Sequence, residues 1–186
     1  MDAIEALRAR RSVGRLEGDV DVPAIEELIE LATWAPNHHL TEPWRFTVLR
    51  GAARERLGKA WAAVAVRDLP LEGEARAAAL EREAAKLLRA PVLIAASVRT
   101  EADPIMASED FAATAAAVEN LLLGAAARGY GAMWRTGGMA YSPEVKAFLG
   151  LEPTDRIVAF VYLGRSASEP PAAQPRSAAG VTRWLE

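Results

Sequence analysis

The chain has no cysteine, so it cannot form disulfides, use a thiolate in catalysis, or bind zinc or an iron–sulfur cluster through Cys. Only two of its 186 residues are histidine, and they are adjacent, His38 and His39. Helical metal pairs need i,i+4 spacing and strand pairs i,i+2, and adjacent side chains diverge. No acidic cluster or third histidine completes a ligand set, and no metal is expected. Neither charge sign dominates: the net charge of −3 gives no basic field to hold nucleic acid. No apolar run reaches membrane-spanning length, and "MDAIEALRARRS" lacks the charged-then-apolar order of a signal peptide. The expected location is the cytoplasm, with no nucleic-acid or membrane partner. Several motifs are also missing. There is no G-x-x-x-x-G-K-[ST] loop. "GYGAMW" puts Trp134 where the dinucleotide fingerprint needs its third glycine, and no G-x-S-x-G elbow is present.

Hydrophobic residues make up 51% and charged residues 25%, which suits a globular domain of this length. Asp2 with Glu5 resembles a capping box for a first helix. Asp21, with Pro23 in the first turn, caps a second that ends at Pro36. Alternating β-formers predict a strand over 44–49. Helices follow over 52–66 and 72–89, the second with few large apolar residues and therefore on the surface. "APVLIAASV" is a buried strand. The segment 107–129 is an Ala-rich helix, apolar nearly all round, with Gly129 as its C-cap. "YGAMW" is a short strand, 143–149 a short helix, and "DRIVAFVYLG" the clearest strand. Residues 165–186, with Pro170, Pro171 and Pro175, form an extended arm, either wrapping or loose. Strands mix with long helices without strict βαβ alternation. That predicts one domain over 1–186, an α+β fold in which a mixed, mainly antiparallel sheet packs with helices.

Three stretches carry candidate chemistry. In "RARRSVGR", Arg8, Arg11 and Arg15 share a face if the first helix continues, and Arg10, Arg11 and Ser12 lie where it should end. Arginines there complement the helix dipole, or they grip phosphate with planar forks beside a serine hydroxyl. "APNHHLTEPWRF" is stiffened by Pro36 and by Pro43, which restricts Glu42 to extended backbone. Such a loop can hold His38 outward while His39 points into its own fold or to solvent. In "GYGAMWRTGG", glycines let a ligand approach a strand that offers the flat face of Trp134, the cation of Arg135 and the hydroxyl of Thr136.

Taken in this order, "RRS", "APNHHLTEPWRF", "RGYGAMWRTGG" and the late strand "DRIVAFVYLG" resemble the nitroreductase family of flavoproteins, most closely its short, minimal members. The resemblance implies a nitroreductase-like homodimer with FMN at the interface. It implies that Arg10, Arg11 and Ser12 hold the phosphate and ribityl end, that His38 reaches FMN from the partner chain, and that Trp134, Arg135 and Thr136 lie beside the isoalloxazine ring. Trp34 stands where close relatives carry arginine and would contact flavin by packing. Glu42 precedes "PW" where many relatives have glutamine. The implied activity is ping-pong transfer from NADH or NADPH, through flavin, to a small-molecule acceptor of nitroaromatic or quinone type, with no obligatory catalytic side chain. Two alternatives stand beside it: another flavin reaction on the same fold, and a non-catalytic flavin- or nucleotide-binding protein.

Overall fold

A computed structural model describes residues 1–167, 172 and 177–186. Helix α1 (Ala3–Ala9) opens with the expected box: the Glu5 amide donates to Asp2 Oδ1, and the Asp2 amide to Glu5 Oε2. After β1 (Leu16–Glu17) comes α2 (Val22–Thr33), capped by Asp21, whose carboxylate accepts from the Ala24 amide. Strand β2 (Trp44–Arg50) leads to α3 (Ala52–Val66) and α4 (Gly73–Ala85), and a 3-10 turn (Lys86–Leu88) replaces the predicted end of α4. Strand β3 (Val92–Val98) precedes α5 (Pro104–Ala127), then β4 (Gly131–Arg135), α6 (Pro143–Phe148) and β5 (Arg156–Ser166). Helix α5 begins three residues before the expected start because Asp103 caps it, accepting from the Ile105 and Met106 amides. In α4 only Ala79 is buried, as its composition predicts.

The sheet runs β1-β5-β3-β2, and β4 also pairs with β5. All these pairs are antiparallel. The one parallel pairing among the described residues is the bridge Ser12–Ala132.

Alternation along the central strands divides the core in two. Val92, Ile94 and Ala96 of β3 face α2 and α5, together with Ala159, Val161 and Leu163 of β5. Leu93 and Ala95 face the opposite side, with Phe160 and Tyr162, and meet Leu57 of α3 and Val145 of α6. Every residue of β3 is buried, as expected of a strand covered on both faces.

The arm differs from expectation at its start. Arg165 and Ser166 belong to β5 and pair with β1. Residues 168–171 and 173–176, including Pro170, Pro171 and Pro175, lie outside the described residues. The last described stretch holds a 3-10 turn (Ala178–Gly180) and leaves Val181, Trp184 and Leu185 exposed.

Candidate functional site

Helix α5 is the axis of the site, because two separate clusters lean on it. Near its middle, Arg10 Nε lies 3.2 Å from Glu119. Near its start, His38 Nδ1 lies 2.7 Å from Glu109. Ten residues of α-helix separate the two acids, about 15 Å along the axis. Within one chain, Arg10 and His38 therefore stand at opposite ends of an elongated surface.

The first cluster forms where α1 stops. Arg10 caps the helix with extended backbone, φ −54° and ψ 127°. The helix does not continue, so Arg8, Arg11 and Arg15 share no helical face. The chain instead turns along β4: Ser12 bridges Ala132, and the Val13 amide donates to the Ala132 carbonyl at 3.1 Å. A cavity of about 190 Å³ opens there, lined by Arg10, Arg11, Gly129, Gly131 and Ser166 among others. Gly131 keeps the wall close: a Cβ would stand 2.5 Å from Leu16 Cδ2 and 3.3 Å from the Ser166 amide nitrogen, so a side chain there needs Leu16 to shift. With its Nε on Glu119, Arg10 has no partner for its two terminal nitrogens among the described residues, and both can donate to an anion. Arg165, next to Ser166, sets its guanidinium 5.3 Å over the Tyr130 ring and adds a third cation near this cavity. Sequence reasoning assigned Arg165 to the arm. The signal that could have found it is its place at the end of the apolar β5 run.

Strand β4 separates the residues predicted to share one ring. Trp134 packs against the α2/α5 core cluster, while Met133 belongs to the opposite one. Arg135 follows Met133: its Nε donates to Met133 Sδ at 3.4 Å, and its guanidinium sits 5.4 Å from the Tyr162 ring centre. Period-two alternation puts Trp134 and Arg135 on opposite faces, so their side chains cannot flank one face of a flat ligand together. What β4 offers such a ligand is its outer edge beyond Ala132, since Ala132 itself is bridged by Ser12 and accepts from the Val13 amide. The Ala132 carbonyl points to that edge, and the same alternation places the backbone groups of Trp134 there. Beyond it, Thr136, Gly137 and Gly138 are exposed, and both glycines face open space. Burial pushes the Tyr162 hydroxyl up to about 12, opposed by the charges of Arg135 and Arg89.

The second cluster contradicts two expectations. Glu42, although it precedes Pro43, has φ +44°; His39 and Leu40 have φ +55° and +54°. Three non-glycine residues in this region cost about 1–3 kcal/mol each, so tertiary contacts must hold the loop. Asn37 Oδ1 accepts from the Glu42 amide at 3.0 Å, and Thr41 Oγ1 donates to the buried Asp110 carboxylate at 2.6 Å. The left-handed turn at His39 also brings the two imidazoles together. They stack at 3.8 Å with planes 22° apart, instead of diverging.

His38, His39 and Glu109 thus bring three ligand-type atoms within 4.8 Å of one another. Nearly parallel rings, however, direct their in-plane lone pairs side by side and not to one point. Beside His38 runs a groove of about 510 Å³ floored by Ala112, Ala113 and Ala116. Trp34 lies apart from both clusters. It is 76% exposed, donates from Nε1 to Glu30, and lines an apolar depression with Leu31, Leu123 and Gly124.

Known proteins place this arrangement. The profile of the nitroreductase family matches residues 7–165. YdjA of Escherichia coli, which carries the provisional name NAD(P)H nitroreductase, is 32% identical over 88% of this chain and 88% of its own length. YfhC of Bacillus subtilis, with the same provisional name, is 30% identical over 86% and 82%. A nitroreductase-like protein from Bacillus cereus superposes with a TM-score of 0.88 at 28% identity, covering 100% of this chain and 97% of that one. A Desulfovibrio desulfuricans protein solved with FMN shares the fold, with a TM-score of 0.75 at 24% identity and coverage of 100% and 98%. With a match over most of its length and relatives of this identity, the chain belongs to the nitroreductase family.

Proposed function

We propose that the protein is an FMN-dependent NAD(P)H oxidoreductase of nitroreductase type that works as a homodimer. The observation that carries the reading is the cavity at the start of β4: Arg10 and Arg11 beside Gly129 and Gly131, on the strand whose outer edge is unpaired beyond Ala132 among the described residues. The donor set suits FMN. Two guanidinium groups match a phosphate monoester, Gly131 keeps the wall thin, and the edge from Trp134 to Gly138 leaves room for a flat ring. The provisional names of YdjA and YfhC and the FMN in the Desulfovibrio structure point the same way.

The protein's own part is binding and orientation. Arg10, Arg11 and Ser12 hold the phosphate and ribityl end, with Arg165 closing the charge around it. The backbone edge of β4, with Trp134, Arg135 and Thr136, sets the plane of the ring. Within one chain Trp34 lies apart from this cavity, so it borders a flavin only as part of a second copy. Bound flavin supplies the hydride chemistry that no side chain here can perform. NADH or NADPH and an acceptor of quinone or nitroaromatic type then use one open face in turn.

Exposure supports the dimer. His38 is about 15 Å along α5 from the level of Arg10, and the resemblance implies that it serves a cofactor held by a second copy. Ile4, Leu7, Trp34, Leu40 and Ile105, which are 56%, 55%, 76%, 83% and 70% exposed, are apolar surface that a second copy would cover.

The test is chromatography of the cofactor released by denaturing the purified protein, alongside FMN titration of the apoprotein. FMN, about one per chain, is expected. FAD, or an apoprotein that ignores FMN, contradicts the reading.

A further inference from the structure

We propose that Glu109 is a positioning residue that sets the tautomer of His38 and turns its Nε2 toward the flavin edge of a second copy of this chain. The inference rests on the FMN reading above.

A carboxylate can only accept hydrogen bonds. The 2.7 Å contact between His38 Nδ1 and Glu109 Oε2 therefore requires the proton to be on Nδ1. When the ring is neutral, Nε2 is the bare nitrogen. Hydrogen bonding at one imidazole nitrogen decides what the other can do. An imidazole without such a partner favours neither orientation strongly and turns about its Cβ–Cγ bond.

The surroundings complete the clamp. His39 stacks on one face of the His38 ring at 3.8 Å, through a left-handed backbone that only a tied-down loop retains. The tie at Thr41–Asp110 sits on the residue next to Glu109, so helix α5 fixes both the loop backbone and the ring. The side chains of His38 and Glu109 are 61% and 37% exposed. A pair so open to water adds little to folding stability, and its consequence is orientation. The groove beside it has an alanine floor and no titratable group besides this pair, so His38, with Asn37 as its polar neighbour, is the ring on offer to a flat ligand edge presented from outside.

The experiment uses the full-length, FMN-loaded protein labelled with 15N in histidine. With two histidines in the chain, two imidazole patterns are expected, and His39→Asn assigns them. Long-range proton–nitrogen spectra, taken at a pH where both rings are neutral, should show His38 in the Nδ1–H form. Glu109→Leu should shift it to a mixture and weaken FMN binding about five- to tenfold, the worth of one hydrogen bond. Glu109→Gln, whose amide oxygen still accepts, should keep the tautomer and stay within about twofold. An unchanged tautomer in Glu109→Leu, or a changed tautomer with unchanged FMN affinity, overturns the proposal. If wild-type protein binds no FMN, the flavin reading falls and the flavin-directed role with it, while the tautomer spectra still decide whether Glu109 sets His38. Thermal melting of each variant separates lost folding from lost positioning.

Discussion

At the residue scale, adjacent residues with one side-chain chemistry carry different burdens. Arg10→Ala should weaken FMN binding by roughly tenfold or more, since a charge-assisted hydrogen bond contributes about 1.5–3 kcal/mol; unchanged affinity by fluorescence titration would move the phosphate elsewhere. His39 bears the loop's strain at φ +55°. Glycine tolerates that conformation and β-branched residues do not. In urea unfolding, His39→Gly should leave stability nearly unchanged, whereas His39→Val should lower it by about 1 kcal/mol or more. Equal effects from both would mean the left-handed turn is not retained in solution. Residue types were legible in the sequence here and geometry was not. "RRS" and the histidine loop stand out by composition. Asn37, which accepts from the Glu42 amide, lies in the loop itself, but the Asp110 carboxylate that ties Thr41 comes from α5, so the loop sequence alone does not show that Glu42 escapes the usual pre-proline restriction. The acids that meet Arg10 and His38 were visible as Glu109 and Glu119 on an otherwise Ala-rich helix. Only the fold says which arginine and which histidine they face.

At the scale of elements, helices and strands follow the sequence closely where capping and periodicity agree. Asp2, Asp21 and Ser142 each cap the helix that follows them, and the β3 and β5 runs are buried as their apolar residues predict. Misjudged boundaries have local causes: the Asp103 cap lengthens α5, and β5 runs on through Arg165 because β1 pairs with it. Two packing details give tests. Gly58 of α3 lies so close to α4 that a Cβ would stand 2.9 Å from the Ala84 carbonyl oxygen. Gly58→Ala should therefore destabilise by about 1–3 kcal/mol, against the gain expected from helix propensity alone. A higher unfolding midpoint would show that the two helices separate freely. At α6, Ser142 Oγ first and Arg67 second hold the Glu144 carboxyl well below the usual range, at about 2. A folded value that is depressed stabilises above the ordinary carboxylate pKa, and that contribution disappears as pH falls toward about 2. Across that interval the wild-type melting temperature should fall more steeply than that of Glu144→Gln. Parallel curves would leave the network without a role in acid stability.

At the scale of the whole molecule, the proposed shared site joins the Arg10 cluster of one chain to the His38 cluster of another. Light scattering of the FMN-loaded protein should give about twice the 20.0 kDa of one chain; a 20.0 kDa particle that retains FMN contradicts the shared site. The likeness of the whole chain to the nitroreductase family was legible in the order and spacing of its motifs. The clustering of Arg10 with Glu119 and of His38 with Glu109 was not, since it depends on how α5 crosses the sheet. The most direct measurement is anaerobic rapid mixing of the FMN-loaded dimer with NADPH or NADH, followed by a quinone. The account predicts that the visible flavin band bleaches with the nicotinamide and returns with the quinone, and that initial-rate plots in the two substrates are parallel. A flavin band that neither nicotinamide bleaches would contradict it, and would make the protein a holder of flavin that does not turn over.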